Sequence, residues 1–195
     1  MTRSGKLPPF LQISSRLVRE SEFGRALHQF LYRPKALHLL DGIGTDWGAG
    51  GCRILAEALC RLAAAYKTPH ELWVIGRDYG QKKGRLVDHF AVRLEGDIGF
   101  VFLDADGPSW EAEFRLKFQR FDLGCAEKTP IYLAPYTEVT QHPERYAANG
   151  FTEALIPRDE ALSIELYRRL LQHFDRPFEF LDAPPTHVVT LECSP

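Results

Sequence analysis

The sequence predicts an α+β fold in which a helix packs against an antiparallel sheet. Three observations carry that expectation: an apolar helical period over residues 51–66, three strand-like runs at 71–76, 89–94 and 99–104, and a second helical period over residues 157–174. The chain has 195 residues, a length suited to one domain with a buried core. Its composition, 45% hydrophobic and 26% charged, is that of a globular domain, and its formal net charge of −2 gives no global reason to expect a nucleic-acid partner.

Along the chain, Ser14-Ser15 is placed to cap a first helix whose apolar side holds Leu17, Val18, Phe23, Ala26, Leu27, Phe30 and Leu31, with Pro34 stopping it. A short apolar piece, residues 36–40, leads into a glycine-rich approach, Asp46-Trp47-Gly48-Ala49-Gly50-Gly51-Cys52. The helix over 51–66 then puts Cys52, Ile54, Leu55, Ala56, Ala58, Leu59, Leu62, Ala63, Ala65 and Tyr66 on one arc. Arg53, Glu57 and Arg61 fall on the other side, four residues apart. The second and third strand-like runs are separated by Glu95-Gly96-Asp97-Ile98, a hairpin signal.

Beyond residue 107 the patterns weaken. A mixed helical pattern covers 110–123, with Arg115, Lys117 and Arg120 as its basic residues. A strand is expected at 131–136 and a loop with a short helical piece at 138–150. Pro157-Arg158-Asp159-Glu160 opens the next helix, since proline and acidic residues suit a first turn. Residues 177–191 read as extended.

Chemistry concentrates between residues 41 and 107, in the order Cys52, His89, Asp104. A thiol attacks acyl carbon as the thiolate, which a helix N-terminus and a nearby imidazolium both favour. Cys52 stands at a helix start; His89 is the candidate base and acid, and Asp104 the carboxylate that orients it. If His89 and Asp104 lie directly opposite one another, the hairpin turn centres on Gly96-Asp97. Asp106 shares the parity of Asp104 and stays open as the acid, although Asp106-Gly107 reads better as a turn. The N–H of Cys52, Gly51 at close approach to substrate, and the indole N–H of Trp47 are candidates for an oxyanion hole, with Trp47 alternatively a wall of the site. The competing reading of Cys52 is a buried structural thiol.

Gly50-Gly51-Cys52 opening an Ala/Leu helix, then His89-Phe90-Ala91-Val92, then Leu103-Asp104-Ala105 resembles the papain-like superfamily of cysteine enzymes. Among its branches the transglutaminase-like and arylamine N-acetyltransferase-like ones are most similar. The resemblance covers residues 45–107. It implies a Cys-bearing helix packed on an antiparallel sheet, a Cys52 thioester, and a thiol protease or deamidase-type hydrolase of amide bonds. An acyltransferase or transglutaminase, or a binding module that keeps the fold without catalysis, are the alternatives it leaves. A bacterial effector of this fold fits the same reading.

The remaining features exclude more than they assign. Cysteines 52, 60, 125 and 193 include no Cys-x-x-Cys pair, which argues against a zinc knuckle or a dense disulfide framework. Neither the cysteines nor the seven histidines show metal-ligand spacing, so no metal or other cofactor is expected. Cys60 reads as structural. The loop ending in Lys82-Lys83-Gly84-Arg85 reads as solvated, or as a greeting for an anionic substrate group. No apolar run approaches the roughly 20 residues of a membrane span, and the N-terminus lacks the apolar segment of a secretory signal. A cytoplasmic location and a protein, peptide or small amide substrate are therefore expected, with no membrane partner; export without an N-terminal signal stays open.

Overall fold

Among the described residues a five-stranded antiparallel sheet, in the spatial order 107–109, 99–104, 85–96, 70–78 and 131–135, positions everything else. The computed structural model describes residues 21–43, 46–48, 50–80, 84–97, 99–120, 129–146 and 155–182. Among the described residues helix α1 (Glu22–Leu31) comes first, then the single-turn α2 (Pro34–Leu37) and a 3₁₀ turn, His38–Leu40. Helix α3 (Cys52–Ala65) precedes β1 (His70–Asp78), β2 (Arg85–Gly96), β3 (Gly99–Asp104) and the short β4 (Gly107–Ser109). After these come α4 (Glu111–Arg120), β5 (Ile131–Pro135), α5 (Tyr136–Gln141) and α6 (Pro157–His173), and 3₁₀ turns at Pro143–Arg145 and Glu179–Leu181. The mixed helix and antiparallel sheet make this an α+β chain.

Several expectations need correction. Helix α1 begins only at Glu22, because Ser21 has a non-helical backbone and its Oγ accepts the Gly24 N–H at 3.1 Å. The Ser14-Ser15 cap lies outside the described residues. Residues 179–181 form a 3₁₀ turn where an extended segment was expected, and residues 183–191 lie outside the described set. Ala65, expected on the buried arc, is exposed in the last turn of α3.

The sheet is covered on both faces. Leu55, Leu59 and Leu62 of α3 share a cluster with Phe90, Val92, Leu94, Val101 and Leu103 on one face. The other side of α3 meets Leu166 and Leu170 of α6, so the helix is buried over a wide arc, with Ala56, Ala58 and Ala63 allowing close approach. Residues from Phe23 to Leu181 belong to this one cluster. On the opposite face Ile75, Ala91 and Phe102 pack under Phe114 of α4, and the Phe102 and Phe114 rings stack at 5.0 Å. Such a pair contributes about 0.5–1.5 kcal/mol beyond its buried area.

The hairpin register differs from the expected one. Strands β2 and β3 pair Val92 with Leu103 and close on Gly96 opposite Gly99, two residues away from a direct His89–Asp104 pairing. A shift of two keeps every side chain on its face, so His89 and Asp104 become diagonal neighbours. A second irregularity lies in β1–β2: Ile75 opposes His89 and Gly76 opposes Val87, which leaves Asp88 as a bulged extra residue. Val87 and Phe90 consequently join the same cluster despite their spacing. Gly76 is required there, since a Cβ would lie 1.9 Å from the Leu86 carbonyl oxygen.

Candidate active site

Cys52 is the first residue of α3, and the segment before it is fixed by its own bonds. The Gly51 N–H donates to the Asp46 carbonyl at 3.1 Å, and Asp46 Oδ1 accepts from the Gly48 N–H at 2.7 Å. Trp47 is fully buried, and its indole N–H donates to the Leu31 carbonyl at 2.9 Å, tying the segment to the end of α1. These bonds correct two expectations. The N–H groups of Trp47 and Gly51 are already engaged, so neither is poised as an oxyanion donor. Gly51 serves packing instead: a Cβ would meet both Leu40 methyl carbons at 2.9 Å.

The backbone N–H of Cys52 belongs to the first turn of α3, where helix N–H groups have no intrahelical acceptor. The first turn of α3 has no acidic residue and no side-chain cap, so the positive end of its dipole faces the thiol without a competing carboxylate. Arg53, expected on the polar side of the helix, is buried. Its guanidinium lies between the rings of Phe90 and Tyr136, 5.3 and 5.1 Å from their centroids, and donates to the Tyr136 hydroxyl at 2.9 Å. Helix α5 therefore covers the side of α3 that the charge pattern assigns to solvent.

His89 follows the bulge on β2, and its Nε2–H donates to Asp104 Oδ2 at 3.1 Å. The thiol of Cys52 lies within hydrogen-bonding reach of the same ring, and with Nε2 engaged, Nδ1 is the nitrogen left to face it. Burial by itself pushes the ring toward neutrality, but the bonds to Asp104 and then Cys52 outweigh it and hold its pKa up at about 9. Burial likewise opposes ionisation of Asp104, yet the His89 bond and the Lys117 charge hold its carboxyl well below the usual range. Cys52 and Asp104 are each 2% exposed and His89 is 4% exposed, so the three groups form a nearly dry cluster.

The structure thus brings together Cys52, His89 and Asp104. Asp106 is 55% exposed and ion-pairs with Lys117, whereas the His89 ring bonds to Asp104. Lys117 also donates to Asp104 Oδ2 at 2.5 Å. Phe114 and Phe118 of α4 flank the imidazole, with ring centroids 6.3 and 5.1 Å from it. The hydroxyl pKa of Tyr32, just after α1, is pushed up by burial and then by the charges of Asp46 and Asp106.

Sequence reasoning assigned no role to Lys117, Phe114, Phe118 or Tyr32. The signal for the first three is Phe114-Arg115-Leu116-Lys117-Phe118: a lysine at helical spacing between two aromatics on an inward face needs a buried partner.

The other candidates separate from this cluster. The Cys60 thiol is pushed up to about 12, by burial first and then Glu57. Arg85 donates to Asp78 at 3.1 Å and to Glu138 at 3.3 Å, so it does not stand open to a substrate anion; Lys82 and Lys83 lie outside the described residues, as do Cys125 and Cys193. Among the described residues no group of three or more His, Cys, Asp or Glu is arranged to hold a metal, and no helix is long and apolar enough to cross a membrane. An open groove of about 570 Å³, lined by residues including Arg33, Lys35, Arg169 and His173, is built from α1, α2 and α6 and includes none of the three cluster residues. Compared with protein-family models, curated proteins and solved structures, the chain gives no match.

Proposed function

We propose that the chain is a cysteine-nucleophile hydrolase of amide or peptide bonds, with the papain-like arrangement of its transglutaminase-like branch. One observation carries the reading: a thiol at a helix N-terminus lies within hydrogen-bonding reach of an imidazole that a buried carboxylate holds from another side. Chance burial of a cysteine does not require an oriented, positively biased imidazole beside it.

In the first half-reaction the Cys52 thiolate attacks the acyl carbon, and the Cys52 N–H donates to the developing oxyanion. Protonated His89 gives its Nδ1 proton to the departing amine, the C–N bond breaks, and a Cys52 thioester remains. Neutral His89 then takes a proton from water, whose oxygen attacks the thioester and releases the acid and the thiol. Asp104 keeps the ring oriented and stabilises its charged form in both halves. An amine in place of water makes the same chemistry an acyl transfer, and the mass of the product distinguishes the two.

A second reading draws on the 2% exposure of Cys52: a binding module that keeps the fold and conducts no chemistry. Alkylation separates them. Iodoacetamide at neutral pH is expected to label Cys52 in the folded chain while sparing Cys60, and His89→Ala is expected to slow labelling roughly tenfold or more. A folded protein inert at Cys52 overturns the hydrolase reading.

A further inference from the structure

We propose that Lys117 is a positioning residue of the Cys52–His89–Asp104 site: its ammonium shares one carboxylate oxygen with His89 and sets the pH at which the thiol becomes reactive. This rests on the hydrolase reading and adds to it a fourth residue that never touches the substrate.

The Asp104 carboxylate is held from three directions. Oδ1 accepts the Asp106 N–H at 2.9 Å, and Oδ2 accepts both the His89 Nε2–H at 3.1 Å and the Lys117 Nζ at 2.5 Å. Lys117 also ion-pairs with the Asp106 carboxylate, so it bridges the two acids around the turn after β3. It leaves α4 between Phe114 and Phe118, the two rings that flank the imidazole, and its Nζ lies 5.6 Å from the Phe118 centroid. One helix therefore sets both the face of the His89 ring and the charge on its acid.

Lys117 is 21% exposed and Asp104 only 2%, so the ammonium offsets part of the cost of burying the carboxylate. What the ammonium adds is a positive charge on the oxygen that otherwise pulls only on the His89 proton. The charged and titratable groups around the site are Cys52 from α3, Asp106 from the turn, Tyr32 from the end of α1 and Asp46 from the segment before Cys52. Removing one positive charge from among them makes every member of the thiol–imidazole pair hold its proton to higher pH. The reactive thiolate then forms later as pH rises.

The test is the pH dependence of Cys52 alkylation by iodoacetamide, read by mass, from pH 5 to 10. Lys117→Gln is expected to label about threefold to tenfold more slowly at pH 6 while reaching the same alkaline plateau. Lys117→Arg, which keeps the charge, restores the original curve. Asp106→Asn leaves the ammonium to Asp104 alone and moves the curve the opposite way. A reactive wild type whose curve is unmoved by Lys117→Gln overturns this proposal and leaves the hydrolase reading standing; a wild type inert at Cys52 overturns both. A lowered plateau without a shift, unrescued by arginine, assigns Lys117 to packing and also overturns it. Should Lys117→Gln not fold, Asp106→Asn decides alone, and an unmoved curve counts against the proposal.

Discussion

His89 and Arg85 stand four residues apart on β2, on either side of the bulge at Asp88, and each is the centre of a charged cluster. Around Arg85 gather Asp78, Glu138 and Tyr146, with Arg85, Asp78 and Glu138 each about one-third exposed. Around His89 gather Cys52, Asp104 and Lys117, with His89 and Asp104 nearly dry. Both clusters place opposite charges within 3.3 Å of one another. In the first, water screens the charges and an arginine stays ionised whatever surrounds it. In both, contacts displace proton affinities (the Gly80 N–H and Arg85 lower the Asp78 pKa), but only in the second do low dielectric and a ring that titrates near neutral pH bring the displacement to about 9. Charge density is thus a poor guide to a site; burial together with a group that titrates is a better one.

The contrast can be broken or sharpened by substitution. Gly76→Ala is expected to have the largest effect on stability, because its Cβ lies 1.9 Å from a backbone carbonyl and the strands must separate at the bulge that aims His89. A loss of about 3 kcal/mol or more in urea unfolding is expected, with Cys52 labelling altered as well. Intact stability would mean that the bulge is not fixed by Gly76.

Asp104→Asn comes next, at roughly 2–4 kcal/mol, because it strips a buried imidazolium and an ammonium of their shared anion. Its pH signature is specific. His89 holds its proton to about 9 in the folded chain against about 6.5 in an unfolded one, so its contribution is full below about 6.5 and lost as pH rises toward 9. Asp104 has a lowered pKa, so its contribution is full above about 4 and lost as pH falls. The pair therefore stabilises the fold most between about pH 4 and 6.5, and Asp104→Asn should flatten the fall in Tm between pH 6.5 and 9. An unchanged slope would show that the His89–Asp104 bond does not control the ring.

The smallest effect is expected in the exposed cluster, where Arg85→Gln should cost about 0.5–1 kcal/mol, decrease with added salt, and leave Cys52 labelling unchanged. A large change in labelling would join the two clusters across the bulge and remove the distinction drawn between them.

Helix α3 and strands β1 to β3 were legible as elements because their apolar residues follow the periods of helix and strand over long windows. The register was less so: the Gly96-Asp97 signal centres the hairpin one residue from the observed centre, between residues 97 and 98, which moves every cross-strand partner by two. The His89–Asp104 contact survives because an even shift preserves the face, and a diagonal pair still spans the gap. An odd shift would have separated them. The short strand β4 escaped because three residues, Gly107, Pro108 and Ser109, carry no alternation to detect.

The site was legible to the extent that its members have unmistakable chemistry and share the hairpin. Cys52, His89 and Asp104 were named from residue type, order and parity, all of which are local properties of the chain. Whether a polar group is free or engaged is not local. The indole of Trp47 is taken by the Leu31 carbonyl, 16 residues away, and the guanidinium of Arg53 by Tyr136, 83 residues away. Lys117 reaches Asp104 only because α4 folds back over the far face of the sheet. Periodicity and residue chemistry determined which elements form and which side chains could react. Long-range packing decided which of their donors were already engaged and how much water was left around the rest.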